Sequence, residues 1–512
     1  MPHSSLKRGP CSVPLEVRLK YLRASAISRQ LAISAFAIFG PSAASVLAVS
    51  AQLGPLKANE QLALSQLENT GHADLSGRPI SADFLEDVIA GVYTNKMISA
   101  KGIAISNAVI QGTLDVTDTT VPFPLRFYSC TFEDGIDFEY ETFAHDLTIA
   151  NSKVGLSSGP KSQALFVGMK VAGLLRLDGT DFNSSVDFTN AEIGSELHSD
   201  DVGYDSSEVE DFDGLQVHAS AFFRKDRFRG MLDLSNSQLS ALQIEGDKPP
   251  GVDQWRSISI NVDQAHIVHE FDIRNVVLEN LAARFLEVQG PMNFRNVVPS
   301  KHVDLTRSHL QILTIEGFEP WLRKDGSTSY ALEGLSFEGV EIPRESVEPP
   351  AMRILDLLNS DRCPYSPQPY LELEKFLRSH GNPEKADLTY IDMRRKERKL
   401  LPWWQKPFNL ALDVLVGYGR LPWKAGIYAL LMVSLGAVLF QKKRMLREDP
   451  NSTDTWFNPF WYSLDLLSPI DLGVSKKWRA KDGILRDYMQ VHRIAGWILI
   501  PFFVAAITGI VK

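Results

Sequence analysis

Cysteine is nearly absent from this chain: Cys11, Cys130 and Cys363 are the only three in 512 residues. Thiols so few and so spaced supply neither a disulfide framework nor a cysteine metal cluster. Positive charge is also short. Lys and Arg number 53 against 62 Asp and Glu, for a formal charge of −9. That balance excludes nucleic acid as a partner, which calls for a basic face. Sequence signatures of nucleotide, acyl and zinc chemistry are missing too: no G-x-G-x-x-G, P-loop, G-x-S-x-G or H-E-x-x-H occurs. No catalytic, cofactor-binding or metal-binding residue is therefore assigned, and no cofactor is expected.

What the chain does have is an apolar rhythm of eleven residues, in register from Ala108 to Asn151. Large apolar residues fill the third position (Ile110, Val121, Phe132, Phe143), the seventh (Leu114, Leu125, Ile136, Leu147) and the ninth (Val116, Phe127, Phe138, Ile149). An α-helix does not produce this spacing. A short fixed period predicts a solenoid whose coils bury their inward side chains on one another. The rhythm returns from Met169, Thr180 and Ala191, and later units Ser237–Gly246 and Ser308–Gly317 share the ending S-x-L-x-x-x-x-I-E-G. Two units make one coil of a right-handed β-helix, with coils stacked at about 4.8 Å. Cys130, in a first position, reads as a small buried hydrophobe.

The expected organisation is a signal peptide or N-terminal anchor over 1–51, a helical cap over 52–96 and a β-helix over 97–343. A helical connector over 344–410 and a membrane domain over 411–512 follow. The first segment has Arg18, Lys20, Arg23 and Arg29 before an uncharged run ending Val49-Ser50-Ala51, a signal-like pattern. The last contains two apolar stretches, about 421–440 and 494–511, near the twenty residues that cross a bilayer. Trp403, Trp404, Trp423 and Trp497 lie near their ends, as in an interfacial belt. Lys442, Lys443, Arg444 and Arg447 follow the first stretch, which puts the connecting stretch in the cytoplasm and the solenoid outside a bacterial inner membrane. The basic run Arg394 to Lys399 pulls the other way.

Several residues invite chemistry. Asp115, Asp137, Asp187, Asp233, Asp272 and Asp304 recur at the eighth position and are expected to point outward. A carboxylate column could hold Ca²⁺ or a sugar, yet solvation and turn hydrogen bonds already account for Asp there. The acidic stretch Asp200, Asp201, Asp205, Glu208, Glu210, Asp211, Asp213 is expected to be a projecting loop without calcium-loop spacing. His266 and His269, three apart on a strand-like unit, face opposite sides. Between the apolar stretches, Trp456 to Asp465 is an aromatic helix, but Ser468 to Gly473 lacks the Gly-Tyr-Gly filter of a potassium channel.

Ala73-Asp74-Leu75-Ser76-Gly77 matches a pentapeptide unit, and Leu114-Asp115-Val116, Leu232-Asp233-Leu234 and Phe271-Asp272-Ile273 echo it. On these residues the chain resembles the bacterial pentapeptide-repeat proteins and their looser β-helix membrane relatives. The resemblance covers about half the chain and implies a fold rather than an activity. Relatives labelled oxidoreductases find no nucleotide, flavin or haem motif here to support that label. The function expected is non-enzymatic: a membrane-anchored β-solenoid that binds or scaffolds envelope proteins or glycans, with the lipid bilayer as its other partner. A carbohydrate-active enzyme on a β-helix and a channel or transporter subunit built from the two apolar stretches are the alternatives.

Overall fold

A computed structural model describes residues 55–93, 101–117, 119–157, 162–205, 209–248, 254–323, 328–341, 351–448, 456–468, 470 and 472–508. The signal segment 1–51 and Glu208 lie outside these residues, as do the last three residues of the second apolar stretch. Residues 1–62 and 63–512 form separate units. The described part of the first unit leads into helix α1 (Ala58–Thr70).

The second unit is built on a parallel solenoid. Thr120-Val121 pairs in register with Thr142-Phe143, and Leu125–Tyr128 with Leu147–Ala150, so one coil takes 22 residues and contains two eleven-residue units. The first sheet carries two strand columns per coil, and the second and third sheets close the other sides. Every apolar residue of the rhythm points inward. Ile110, Phe132, Phe143, Leu114, Leu125, Ile136, Leu147, Phe127, Phe138 and Ile149 are fully buried, and Val121 and Val116 nearly so.

The eleventh position turns the corner. Asn107, Ser129, Tyr140, Asn151 and Asn190 all have φ between 51° and 57°, the left-handed region that Asn tolerates best among side-chain-bearing residues. Gly179 occupies the same position with φ 67°. First-position hydroxyls are tolerated inside because they donate to coil carbonyls: Thr180 Oγ1 to Ile149 O at 2.8 Å and Ser237 Oγ to Phe212 O at 3.1 Å. Aromatic columns run up the interior. Phe166, Phe188 and Phe212 stack with centroids 4.4 and 4.8 Å apart, and Phe182, Tyr204 and Phe228 with centroids 5.7 and 4.7 Å apart.

The solenoid begins earlier than the sequence suggests. His72–Asp74 already pairs with Ala104–Ser106, inside the segment expected to be a helical cap. Helix α2 (Ala82–Ile89), capped by Ser81, then takes the place of a third-sheet strand in this first coil. Its Glu86 accepts the Asp115 amide at 3.0 Å, covering the first strand of that sheet. At the other end, helix α3 (Glu319–Leu322) lies beside the last coils. Helices α4 (Ala351–Asn359), α5 (Pro367–Ser379) and α6 (Pro383–Leu400) form the connector. Helix α5 packs on the last strand, Ser336–Glu341, and Arg362 O accepts the Tyr330 amide at 3.1 Å.

The C-terminal region holds helices α7 (Lys406–Val416), α8 (Trp423–Leu439), α9 (Pro459–Leu467) and α10 (Gly483–Ile507). An antiparallel pair, Met445–Arg447 with Trp478–Ala480, ties the connecting stretch together. No helix among the described residues is long and apolar enough to cross a membrane, which differs from the two spans expected. The 17 residues of α8 cover about 25 Å at helical rise, short of a hydrocarbon core of about 30 Å. The first half of α10 carries Arg486, Asp487 and Arg493, so only its second half is apolar.

Candidate functional site

The long changes in coil length fall in one place, before the strands of the third sheet. The extra residues follow a second-sheet strand in the earlier coils and a first-sheet strand, Gln238–Glu245 or His309–Glu316, in the later ones. They comprise α2 in the first coil, then the stretches between Val154 and Ala164, Tyr204 and Glu210, Glu245 and Ser257, and Glu316 and Ser329. A solenoid that confines its insertions to one side marks that side as the one free to diverge toward a partner.

The acidic column lies on the neighbouring third sheet. Register aligns Asp115 with Asp137, Asp187 with Asp211, and Asp211 with Asp233. Each carboxylate accepts the amide two residues ahead: Asp115 from Thr117 at 3.0 Å, Asp137 from Glu139 at 3.2 Å, Asp187 from Thr189 at 2.9 Å, Asp233 from Ser235 at 2.9 Å and Asp304 from Thr306 at 2.9 Å. These are Asx turns that set the corner after the strand. Burial, then the neighbouring Asp115 carboxylate, raises the pKa of Asp137 above the ordinary carboxylate value. Asp272 belongs to a different face, in register with Gln243 and Asn293, and is buried against Arg274 rather than pointing outward.

The stretch 200–213 is not one projecting loop. Asp200 ends a strand, Asp201 turns the corner, Gly203-Tyr204 and Glu210-Asp211 are paired strands, and Glu210 is buried with its carboxylate accepting the Val186 amide at 3.2 Å. His266 pairs with Glu287 at 3.3 Å while His269 is exposed, so the two do not converge on a metal. Cys130 is buried as expected, and burial pushes its thiol up to about 11.

A cluster that spacing did not reveal is Asp178, His198 and Asp200, whose ligand-type atoms lie within 4.8 Å of one another. They come from successive coils of the first sheet and its corner, so only the 22-residue register could have disclosed them. Arg224 forks onto Asp200 at 2.5 and 2.6 Å, and Arg176 lies 3.4 Å from Asp178. The cationic place is thus taken by guanidinium groups. Below it, Asp226 is almost wholly buried, accepting from Ser199 Oγ at 2.6 Å and the Val202 amide at 2.8 Å, with Tyr204 OH 3.0 Å from the same serine. Burial raises the Asp226 carboxyl well above its ordinary value.

In the connector, Asp413 of α7 is bracketed by Arg395 at 3.0 Å and Arg398 at 3.0 Å from α6. Lys396 donates to Leu358 O, to Ser360 O at 3.0 Å and to Cys363 O at 2.6 Å, and burial lowers its pKa. Arg395, Lys396, Arg398, Lys399 and Lys406 line a basic hollow of about 680 Å³. Beside it begins a broad apolar surface. Trp403, Trp404 and Phe408 are more than three-fifths exposed, and so is Val438, while Leu430, Leu431, Ile494 and Trp497 are about that exposed.

Between α9 and α10, Ser463 Oγ sits 3.2 Å from His492 Nε2. Both residues are sealed from solvent and pressed against Gly436 of α8, where any side chain would strike Ser463 Oγ. The pair ties helices together and offers no substrate access. Asp465 accepts the Leu472 amide at 2.6 Å and the Ser475 amide at 2.5 Å, so this loop turns donors onto a carboxylate rather than carbonyls toward an ion path. Compared with protein-family models, curated proteins and solved structures, the chain matches none.

Proposed function

We propose that this protein is a non-enzymatic β-solenoid of the pentapeptide-like, right-handed kind, attached to a bacterial inner membrane by its C-terminal helices. Its insertion-bearing flank serves envelope proteins or glycans outside the cytoplasm. The observation that carries the proposal is the exposed apolar surface of α7, α8 and α10. A soluble monomer rarely leaves so many large apolar side chains in water. The occupant is lipid. Exposed tryptophans rim the surface, and the basic hollow of the connector and Lys442 to Arg447 supply the cations that anionic headgroups attract. Attachment by faces embedded to partial depth suits an α8 too short to cross alone.

Vesicle flotation of the full chain tests this. On vesicles of phosphatidylcholine with anionic phosphatidylglycerol, the wild type is expected in the floating fraction, and Leu430→Asp with Leu431→Asp in the bottom fraction. Wild-type protein that stays monomeric and unbound in detergent-free buffer beside such vesicles would overturn the reading.

A further inference from the structure

The second sheet stops part-way along the solenoid. Its last strand, Arg227-Phe228, pairs backward with Gly203-Tyr204, and among the described residues no strand pairs with its other side. On the next coil the first-sheet strand ends at Glu245, and the next pairing begins at Ser257, within the third sheet. Asp247 and Arg256 meet between these strands, through an ion pair at 2.5 Å and the Arg256 amide on Asp247 O at 3.0 Å. Phe228, Glu245 and Arg256 border one opening. Between them lies a cavity of about 330 Å³, within the range of small-molecule sites.

The walls say what fits. The inward column of the second sheet runs Phe182, Tyr204, Phe228, with the last two rings only 5° from parallel. Phe228 is the last ring of that column among the described residues, partly exposed, and it lines the cavity together with Ile244, Ile258 and Val276. These four side chains and Phe223 give the cavity an apolar lining. Its rim is polar and of both signs. Arg227 is already held by Asp181 at 2.5 Å and Asp201 at 2.6 Å, and Arg256 by Asp247. Arg229 is exposed and makes no ion pair among the described residues. Asp205 and Glu245 contribute carboxylates to the same rim.

We infer that this cavity is a binding site for an aromatic amino acid or a close zwitterionic analogue. The planar ring continues the stack on Phe228, its carboxylate meets Arg229, and its ammonium meets Asp205 or Glu245. A ligand of one charge leaves half of the rim unmatched, and a saturated ring forfeits the stacking. The site lies on the flank that carries the insertions and does not depend on membrane attachment.

Isothermal titration of the full chain in detergent tests it, with L-tryptophan as probe and indole-3-propionate, tryptamine and cyclohexylalanine as comparisons. Saturable one-to-one binding of tryptophan is expected, weaker for each comparison. Phe228→Leu lowers affinity roughly tenfold. Arg229→Gln weakens tryptophan and indole-3-propionate but leaves tryptamine unchanged. Ile258→Trp fills the space and abolishes binding, while unchanged circular dichroism shows the solenoid intact. No saturable binding of tryptophan, or binding that survives Ile258→Trp in the folded protein, would overturn the assignment.

Discussion

Replacing Phe138 by aspartate should open the solenoid locally. Phe138 is fully buried, its ring centroid 5.3 Å from Phe143 and 5.9 Å from Phe166 on the next coil. Removing a buried phenylalanine costs about 3–5 kcal/mol through lost transfer energy and the cavity left behind. A carboxyl group without partners in that cavity adds about 1–3 kcal/mol even when protonated. The total, roughly 4–8 kcal/mol, rivals the whole stability of many domains, about 5–15 kcal/mol. Because each coil touches only its neighbours, the loss should concentrate there. Hydrogen exchange resolved by peptide should show lost protection over 114–188 and little change over 287–316. Asp137→Asn, one residue away, keeps the oxygen that accepts the Glu139 amide and should stay within about 0.5 kcal/mol of wild type. Unchanged protection around Phe138→Asp would refute the inward assignment, and uniform loss along the rod would refute nearest-neighbour energetics.

Asp226 has a folded pKa well above its ordinary 3.8, so the protonated form is favoured by folding and its stabilisation is full below 3.8. It should be lost as pH rises through the elevated pKa, and Asp226→Asn should flatten this part of a stability–pH curve followed by denaturant titration. Asp413 behaves oppositely. Burial pushes its pKa up, but hydrogen bonds from Arg395 and Arg398 overcome this and hold it low. Its contribution is present above about 3.8 and lost as pH falls through the folded value. Asp413→Asn should cost about 1–3 kcal/mol, discounted for half-exposed Arg395, and loosen α6 from α7 in proteolysis at neutral pH. In Gly290→Ala the new Cβ would run into the His269 carbonyl oxygen of the preceding coil. Forced separation of the two coils should cost about 1–3 kcal/mol or more, read as a lowered unfolding midpoint.

The repeat was legible because burial in a stacked coil is enforced at every third, seventh and ninth position, and Phe132, Leu125 and Phe127 could not be polar. The corner residues were equally available: Ser129, Asn151 and Gly179 share the eleventh position, a signal of positive φ rather than of hydropathy. Contacts between coils were harder to read. Asp178, His198 and Asp200 meet only once the register is known, and Asp272 departs from the other aspartates because its unit sits on another face. His72–Asp74 looked like part of a cap because two helices flank it. The C-terminal stretches show the limit of counting apolar residues. Leu421 and Pro422 precede α8, and Phe440 ends it, so twenty apolar positions yield a 17-residue helix.

The closed ends of the solenoid have a consequence for assembly. Parallel strands stacked coil upon coil have the geometry that lets fibrils grow by adding identical units. In this chain, Glu86 of α2 occupies the Asp115 amide at one end, and Arg362 O with helix α5 covers the last strands at the other. Growth by added coils is thereby opposed at these two places, although no described strand pairs with the outer sides of His72–Asp74, Pro79–Ser81 and Arg227-Phe228.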